Sequence, residues 1–385
     1  MNILVTGANG FIAKNLIAWL ERLEGVKVLA FDRESNADEL ENGLANAEVV
    51  YHLAGVNRPL TEDEFRIGNV DLTAVICDAL LKHNRAIPIF LASSTQALLG
   101  NLYGVSKRQA EDIVTRYAAQ SGASVGIYRL TNVFGKWCRP NYNSVVATFC
   151  HNIAQGLPIA VSDPARELEL VYIDDVVKTF LSGLGSANPA GVTYRTVSPS
   201  HPITLGGLAE LIRSFREARQ TLEIPDFSNP FVAKLYGTYQ SYLPEQGFGY
   251  DLAKKSDQRG CLAEFVKSPT FGQIFVSRTE PGVTRGNHYH HTKAEKFLVL
   301  EGDAMVRLRH LHSPQVLEYR VRGEDFRVVD IPTGYTHSIE NIGPRELITL
   351  FWASEVFNPE RPDTYFEPVS PMPEVWGPTN QGPQL

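Results

Sequence analysis

The chain of 385 residues carries a net charge of −7, with 43% hydrophobic and 21% charged residues. That balance belongs to a globular protein able to fill two or three cores, and the acidic charge excludes duplex nucleic acid as the leading partner. No run reaches the roughly 20 apolar residues of a membrane span, Met1 leads into an apolar run with no basic leader, and the four scattered cysteines lack metal or redox spacing, so a cytoplasmic protein with free thiols is expected.

Residues 2–6 are a short apolar run ending in Thr6-Gly7-Ala8-Asn9-Gly10-Phe11-Ile12-Ala13, followed by Leu16, Ile17, Leu20 and Leu23 at helical spacing. This reads as strand, glycine turn and helix, with the helix N-terminus free to hold a pyrophosphate. A second strand, Val26–Phe31, ends at Asp32-Arg33, where the acid suits a ribose hydroxyl and the arginine a 2′-phosphate. Val49–Gly55 is a third buried strand running into small residues, with His52 expected as a packed histidine. Helix Asn69–Leu81 and strand Ile87–Ala92 follow, and Ser93-Ser94-Thr95 place hydroxyls at that strand's carboxyl end, where open α/β sheets bind ligands.

Tyr103-Gly104-Val105-Ser106-Lys107 opens the next helix, Tyr103–Ala119. A tyrosine and a lysine four apart share one helix face. There the ammonium is expected to depress the phenol's pKa and to anchor a cofactor ribose, making Tyr103 a proton donor for a carbonyl that accepts a hydride. Strand Ser124–Leu130 ends in Thr131-Asn132-Val133-Phe134-Gly135. Alternating strands and helices predict a doubly wound parallel sheet.

Residues 140–245 read as a smaller lobe: helix Ser144–Gln155, a strand near Pro158–Val161, and a helix opening at Ile203-Thr204-Leu205 and running through Arg219, with Thr204 or the residue beside it expected as the N-cap. An aromatic-rich helix, Phe231–Tyr242, follows. Pro244-Glu245-Gln246-Gly247 marks the expected boundary between domains 1–245 and 246–370.

From about Ala263 the pattern changes to short strands at roughly ten-residue spacing, which predicts a β-sandwich or barrel. Six of the ten histidines fall between His288 and His337. On a strand His288 and His290 share a face, Glu295 enters from the next strand, and His337 supplies a third imidazole. Three imidazoles and a carboxylate suit a divalent transition metal, zinc being the expected ion. His291 falls on the opposite face and is not expected to ligate, and His310 and His312 read as a solvated edge. The Pro/Gly-rich tail, 371–385, is expected to be poorly ordered.

Gly7-x-x-Gly10-x-x-Ala13, His52-Leu53-Ala54, the Ser94/Thr95 hydroxyls, Tyr103-x-x-x-Lys107 and Arg129-x-x-Asn132-x-x-Gly135 together resemble an extended short-chain dehydrogenase/reductase, and Val171–Val176 resembles that family's later sheet segment. The resemblance implies a Rossmann-type domain with Tyr103 as acid/base, Lys107 as its partner and Thr95 or Ser94 polarising the carbonyl. It implies cofactor contacts at Gly7, Gly10, Phe11, Ile12, Asp32, Arg33, Leu53, Ala54, Tyr103 and Lys107, with NADPH the expected cofactor and Asn132 facing the substrate. The histidine string and Pro332-x-Gly334-x-x-His337-x-x-x-Asn341 are similar to the two halves of a cupin motif, except that Phe326 stands where the second half begins with glycine.

A reductase followed by a cupin resembles the bifunctional, CapF-type enzymes of UDP-N-acetyl-L-fucosamine biosynthesis. That family implies a UDP-linked 4-keto-6-deoxy amino sugar as substrate, C3 epimerisation by the cupin and C4 reduction with NADPH; a homodimer is expected because cupin barrels and reductase helices both offer apolar faces for isologous pairing. The epimerisation base is left open among Tyr335, His312, Tyr319 and Lys296. A 4-epimerase retaining NAD beside a non-catalytic cupin, or a dinucleotide sensor dimerised by its cupin, would share much of the pattern. Ser93-Ser94-Thr95-Gln96-Ala97 lacks the acids that dehydratases of the family require.

Overall fold

Uninterrupted apolar runs make the strands of the N-terminal sheet, because a parallel strand is covered on both faces. In the computed structural model, which describes residues 1–184 and 189–370, these strands lie in the order Lys27–Phe31, Asn2–Thr6, Val49–His52, Ile89–Ser94, Ser124–Leu130 and Gly191–Arg195. All neighbouring pairs are parallel. The order reverses direction between Asn2–Thr6 and Val49–His52, so the crevice beyond their carboxyl ends is where a ligand is expected. One face of the sheet packs Leu4, Val50, Leu91 and Ile127 against Ile113, Val114 and Tyr117 of helix Leu102–Ser121. The other packs Ile3, Tyr51, Phe90 and Tyr128 against Leu16, Leu20 and Phe180. The doubly wound α/β fold expected from the strand–helix alternation is therefore present.

Several local expectations are corrected. The predicted helix Asn69–Leu81 is a short turn, Asp63–Phe65, continuing as a π-helix over Arg66–Asp71 and only then as an α-helix over Leu72–Lys82. Residues 158–161 form no strand. Val171 and Tyr172 end strand Glu167–Tyr172, which joins Asn132–Phe134 and Ser200–Thr204 in a separate three-stranded sheet, while Ile173 begins a helix. The edge strand Gly191–Arg195 escaped the sequence reading because it is short and only half-buried. Thr204 does cap the helix that follows it, its Oγ1 accepting from the Gly207 N–H at 3.1 Å.

Two compact units divide the chain. Met1–Arg216 with Phe227–Phe248 forms the first, and Glu217–Asp226 joins Gly249 onward in the second. Residues 217–226 go with the second unit because the Ile224 N–H donates to the Lys267 carbonyl and the Lys267 N–H to the Leu222 carbonyl.

The second unit is two antiparallel sheets face to face. One runs Lys254–Asp257, Gly260–Ser268, Gly272–Thr279, Leu347–Ala353, Glu295–Glu301, Val328–Ile331, and the other Val316–Arg322, Asp303–His310, Tyr335–Asn341, Thr284–Tyr289, Tyr365–Phe366. Its core interleaves Phe297, Val299, Leu347 and Phe351 of the first sheet with Ala304, Val306, Leu308 and Ile339 of the second. The strands start at Lys254 rather than near Ala263, since Lys254–Asp257 is fully exposed and shows no apolar alternation. Residues 371–385, the predicted tail, lie outside the described residues.

Candidate active site and metal centre

Gly7 opens the first site. Its φ of +67° and the 2.8 Å that would separate an added Cβ from the Ala54 backbone leave room for glycine alone. The Gly10 N–H donates back to the Gly7 carbonyl at 2.8 Å, and helix Phe11–Leu20 starts with no side-chain cap and no acid in its first turn. Its first N–H groups are thus free for an anion. Asp32, at the tip of the neighbouring strand, accepts from the Asn9 and Arg33 backbone N–H groups, and the Arg33 side chain is exposed.

From this turn a cavity of about 830 Å³ extends past Leu53, Ser94, Thr95, Tyr103 and Lys107 to Asn132, Arg139 and Arg166. Gly7, Gly10, Phe11 and Ile12 line it as well, whereas Ala54, packed against the Gly7 turn, Asp32 and Arg33 are not among its lining residues. Helix Leu102–Ser121 reaches it because Asn101 caps it, accepting from the Gly104 N–H at 2.8 Å, and because Gly104 presses on the turn Thr95–Leu98. A Cβ on Gly104 would stand 2.2 Å from the Gln96 carbonyl oxygen. That approach puts the Tyr103 phenol beside the strand end.

Burial raises the Tyr103 phenol above its ordinary pKa, and a hydrogen bond with the Ser94 hydroxyl brings it partway back. Lys107 has no part in that shift, contrary to the expected depression. Its Nζ lies 6.0 Å from the phenol ring centroid and donates to the Ala92 carbonyl at 3.0 Å. Burial lowers Lys107 itself to about 8. Ser94, not Thr95, is the hydroxyl coupled to Tyr103, while Thr95 is exposed on the cavity wall. His52 is fully enclosed, bonded to Thr6 and Thr73 at 2.7 and 2.8 Å, a packed histidine. Asn132 is exposed and donates to the Glu169 carbonyl at 3.3 Å.

The second site is in the sandwich. His288, His290, Glu295 and His337 each present one ligand atom, all within 4.8 Å of one another. His288 and His337 face each other across paired strands, and Glu295 begins a strand of the opposite sheet. A bulge at Gly286 and Asn287 sets up the approach, for the Gly286 position leaves only 2.6 Å between an added Cβ and the His337 carbonyl oxygen. Burial, then the neighbouring imidazoles, lowers His288 to about 4, so the ring is neutral and able to ligate. Burial opposes ionisation of Glu295, but His290 and His337 outweigh it and hold the carboxyl below its usual range. The Nε2 atoms of His290 and His337 are buried without a hydrogen bond. These Nε2 atoms converge on the Glu295 carboxylate at 3.5 and 3.2 Å without a hydrogen bond, an arrangement a divalent ion would satisfy, and the donor set fits one.

Asp363 is a supporting residue that spacing did not indicate, being 73 positions from the His290 it supports. Its carboxylate accepts from the backbone N–H groups of His291, Thr292 and Lys293 at 2.9–3.0 Å. Its carbonyl accepts from Nδ1 of His290 at 2.5 Å, which turns Nε2 toward the cluster. His291 is exposed and apart from the ligand atoms. Of the four base candidates, Lys296 points out of the sandwich and pairs with Asp330, and His312 is exposed. Tyr319 and Tyr335 pack on the inner face with the core, and Tyr335 lies two residues before His337 on one strand.

Residues 3–194 match the NAD dependent epimerase/dehydratase family, and residues 255–365 match a polysaccharide biosynthesis C-terminal domain. The chain is 44% identical over 365 residues to a Pseudomonas aeruginosa protein described as UDP-2-acetamido-2,6-beta-L-arabino-hexul-4-ose reductase, covering 95% of this chain and 98% of that one. It superposes on the crystal structure of the capsular polysaccharide assembling protein CapF from Staphylococcus aureus with a TM-score of 0.88 and 43% identity, over 96% of this chain and all of the other. A shorter match, 29% identical over 122 residues, links 29% of the chain to 81% of the Bacillus subtilis spore coat polysaccharide biosynthesis protein SpsL.

Proposed function

The chain belongs to the family of the CapF-type UDP-2-acetamido-2,6-beta-L-arabino-hexul-4-ose reductases, and from that membership we propose that its two units act in turn on one UDP-linked 4-keto-6-deoxy amino sugar. The second unit inverts C3 and the first reduces the C4 ketone, yielding a sugar nucleotide for surface polysaccharide. The observation that carries this reading is the cavity in which Ser94, Tyr103 and Lys107 meet the glycine turn, in a chain that also holds the buried imidazole–carboxylate cluster.

In the first unit, NADPH when bound supplies the hydride. The glycine turn and the helix N-terminus after Gly10 receive the pyrophosphate, and Leu53 and Ala54 border its path. Asp32, held by two backbone N–H groups, faces the ribose, and the exposed Arg33 faces the 2′-phosphate that favours NADPH. Ser94, with Thr95 on the wall beside it, orients the ketone. Tyr103 donates a proton to the ketone oxygen as it becomes an alcohol, and Lys107 positions the ribose. Arg139 and Arg166 provide positive charge for the diphosphate, and Asn132 contacts the sugar.

In the second unit, His288, His290, Glu295 and His337 hold a divalent metal, zinc by donor type. Such an ion supplies Lewis acidity toward a ketone, which acidifies the neighbouring C3–H. Tyr335, on the inner face beside His337, is the base we assign to C3. No helix among the described residues is long and apolar enough to cross a membrane. The four cysteines are free thiols, which suits a cytoplasmic enzyme, and a homodimer is the assembly expected from the apolar faces that a cupin barrel and reductase helices offer for isologous pairing.

Full-length protein given the 4-keto sugar in deuterated water without NADPH tests the division of labour. Deuterium should enter C3 in the wild type and in Tyr103→Phe but not in His288→Ala. Adding NADPH should give the C4 alcohol from wild type alone. Exchange that persists in His288→Ala would refute the role given to the second unit.

A further inference from the structure

One face of helix Leu102–Ser121 carries Tyr103, Lys107 and Glu111 at successive four-residue steps, and the end of strand Ile89–Ser94 meets them one residue apiece. The Ala92 carbonyl accepts from Lys107 Nζ at 3.0 Å. The Ser93 hydroxyl donates to Glu111 Oε1 at 2.5 Å. The Ser94 hydroxyl faces the Tyr103 phenol and moderates its rise. Glu111 is 2% exposed and receives a second anchor from the adjoining strand, with Arg129 Nε donating to Oε1 at 3.0 Å and a terminal guanidinium nitrogen to Oε2 at 2.6 Å.

A buried carboxylate is costly unless it is paired. Here the pairing spends the charge on locking a helix to two strand ends rather than on an isolated surface contact. Because Ala92, Ser93 and Ser94 are consecutive, fixing the middle residue fixes the groups that hold Lys107 and Tyr103.

We propose that Glu111 is a positioning residue of the reductase site, clamping Ser93 so that Ser94 and the Ala92 carbonyl are set against Tyr103 and Lys107, with its carboxylate one helical turn along from the Lys107 side chain. The inference rests on the reductase reading above. Lys107 is enclosed by few charges. Its own helix gives Tyr103 and Glu111. Strand Val49–His52 contributes His52, which burial and then Lys107 hold neutral, lowering it to about 3. The Ala92 carbonyl and the neutral Asn69 amide, which lies with Lys107 Nζ against Gly55, complete its surroundings. Burial lowers Lys107 and Glu111 raises it, so Glu111 is the anion that opposes desolvation there.

The test pairs Glu111→Gln with Ser93→Ala in the full-length protein, folding being checked by circular dichroism and NADPH affinity. Lysine labelled with carbon-13, assigned with Lys107→Arg, reports the Lys107 titration without cofactor or substrate. Glu111→Gln should move that midpoint, and the alkaline limb of kcat, about one unit toward acid, as loss of a nearby opposite charge does. Ser93→Ala, which leaves the Glu111–Arg129 pair intact, should leave the midpoint in place and lower kcat about tenfold with KM for the sugar unchanged, the scale on which misplacement of reacting groups acts. An unmoved midpoint in folded Glu111→Gln would overturn the electrostatic role. An undiminished kcat in Ser93→Ala would overturn the clamp, whether or not the glutamine variant folds. A wild type that oxidises no NADPH with the 4-keto sugar would instead overturn the reductase reading.

Discussion

Tyr103 and Lys107 meet the solvent differently, and that difference fixes what each does with a proton at neutral pH. The phenol is raised by burial and stays protonated, ready to donate, while Lys107, lowered to about 8, is still mostly an ammonium. The ammonium is the useful form, so its loss as pH rises through about 8 should cut turnover, and a kcat–pH profile flat through pH 9 would contradict this assignment. Tyr103→Phe should lower kcat by about a hundredfold or more, the usual reach of a general acid, with NADPH binding retained by fluorescence titration. Tyr103, Lys107 and Ser94 were legible as a motif because four-residue spacing on a helix and a hydroxyl at a strand end are local signals. The preference for Ser94 over Thr95, and the failure of Lys107 to lower the phenol, were not, since both depend on where the helix docks.

Helix docking is decided by glycines that tolerate no side chain. Gly7→Ala should lose NADPH binding, since the new Cβ would stand 2.8 Å from the Ala54 backbone and the left-handed φ would add about 1–2 kcal/mol of strain; isothermal titration of NADPH into the folded variant checks it. The converse case is Phe326. It adopts a φ of +46° at the end of the turn Gly323–Asp325 and is 73% exposed, where the cupin pattern has glycine. Phe326→Gly should therefore stabilise the second unit by about 1 kcal/mol, read as a higher denaturant midpoint. A lower midpoint would show that the exposed ring contributes more than the strain costs. The strands with apolar alternation were readable in advance. Lys254–Asp257 and Gly191–Arg195 were not, because edge strands need no buried face. The π-helix Arg66–Asp71 also carried no signal: Asn69 inside it satisfies both polar groups of Val56 and bonds Ser106, contacts set by the tertiary fold.

The whole chain is stabilised in two unequal parts. Among the described residues the first unit is filled by three apolar clusters and the second by one, between two sheets that converge on the His288–His337 cluster. A metal that binds only the folded second unit adds stability by mass action, about 4 kcal/mol at a thousandfold excess over Kd. Chelation should therefore lower one calorimetric transition and leave the other near its place, and His288→Ala should show the lower value without chelator. Two transitions falling together would refute an ion confined to the second unit.

The sequence by itself determined the order of the two folds, the glycine turn, the Tyr103–Lys107 pair and the four metal-ligand candidates. All of these but His337, which stands 42 residues after Glu295 in its own Pro332-x-Gly334-x-x-His337 pattern, are encoded by spacing within one element or by adjoining elements. Only the tertiary structure decided that Glu111 and Arg129 brace the first site, that Asp363 aims His290, and that residues 217–226 join the second unit. Those contacts join positions whose separation along the chain follows no helical or strand period, so no local pattern announces them.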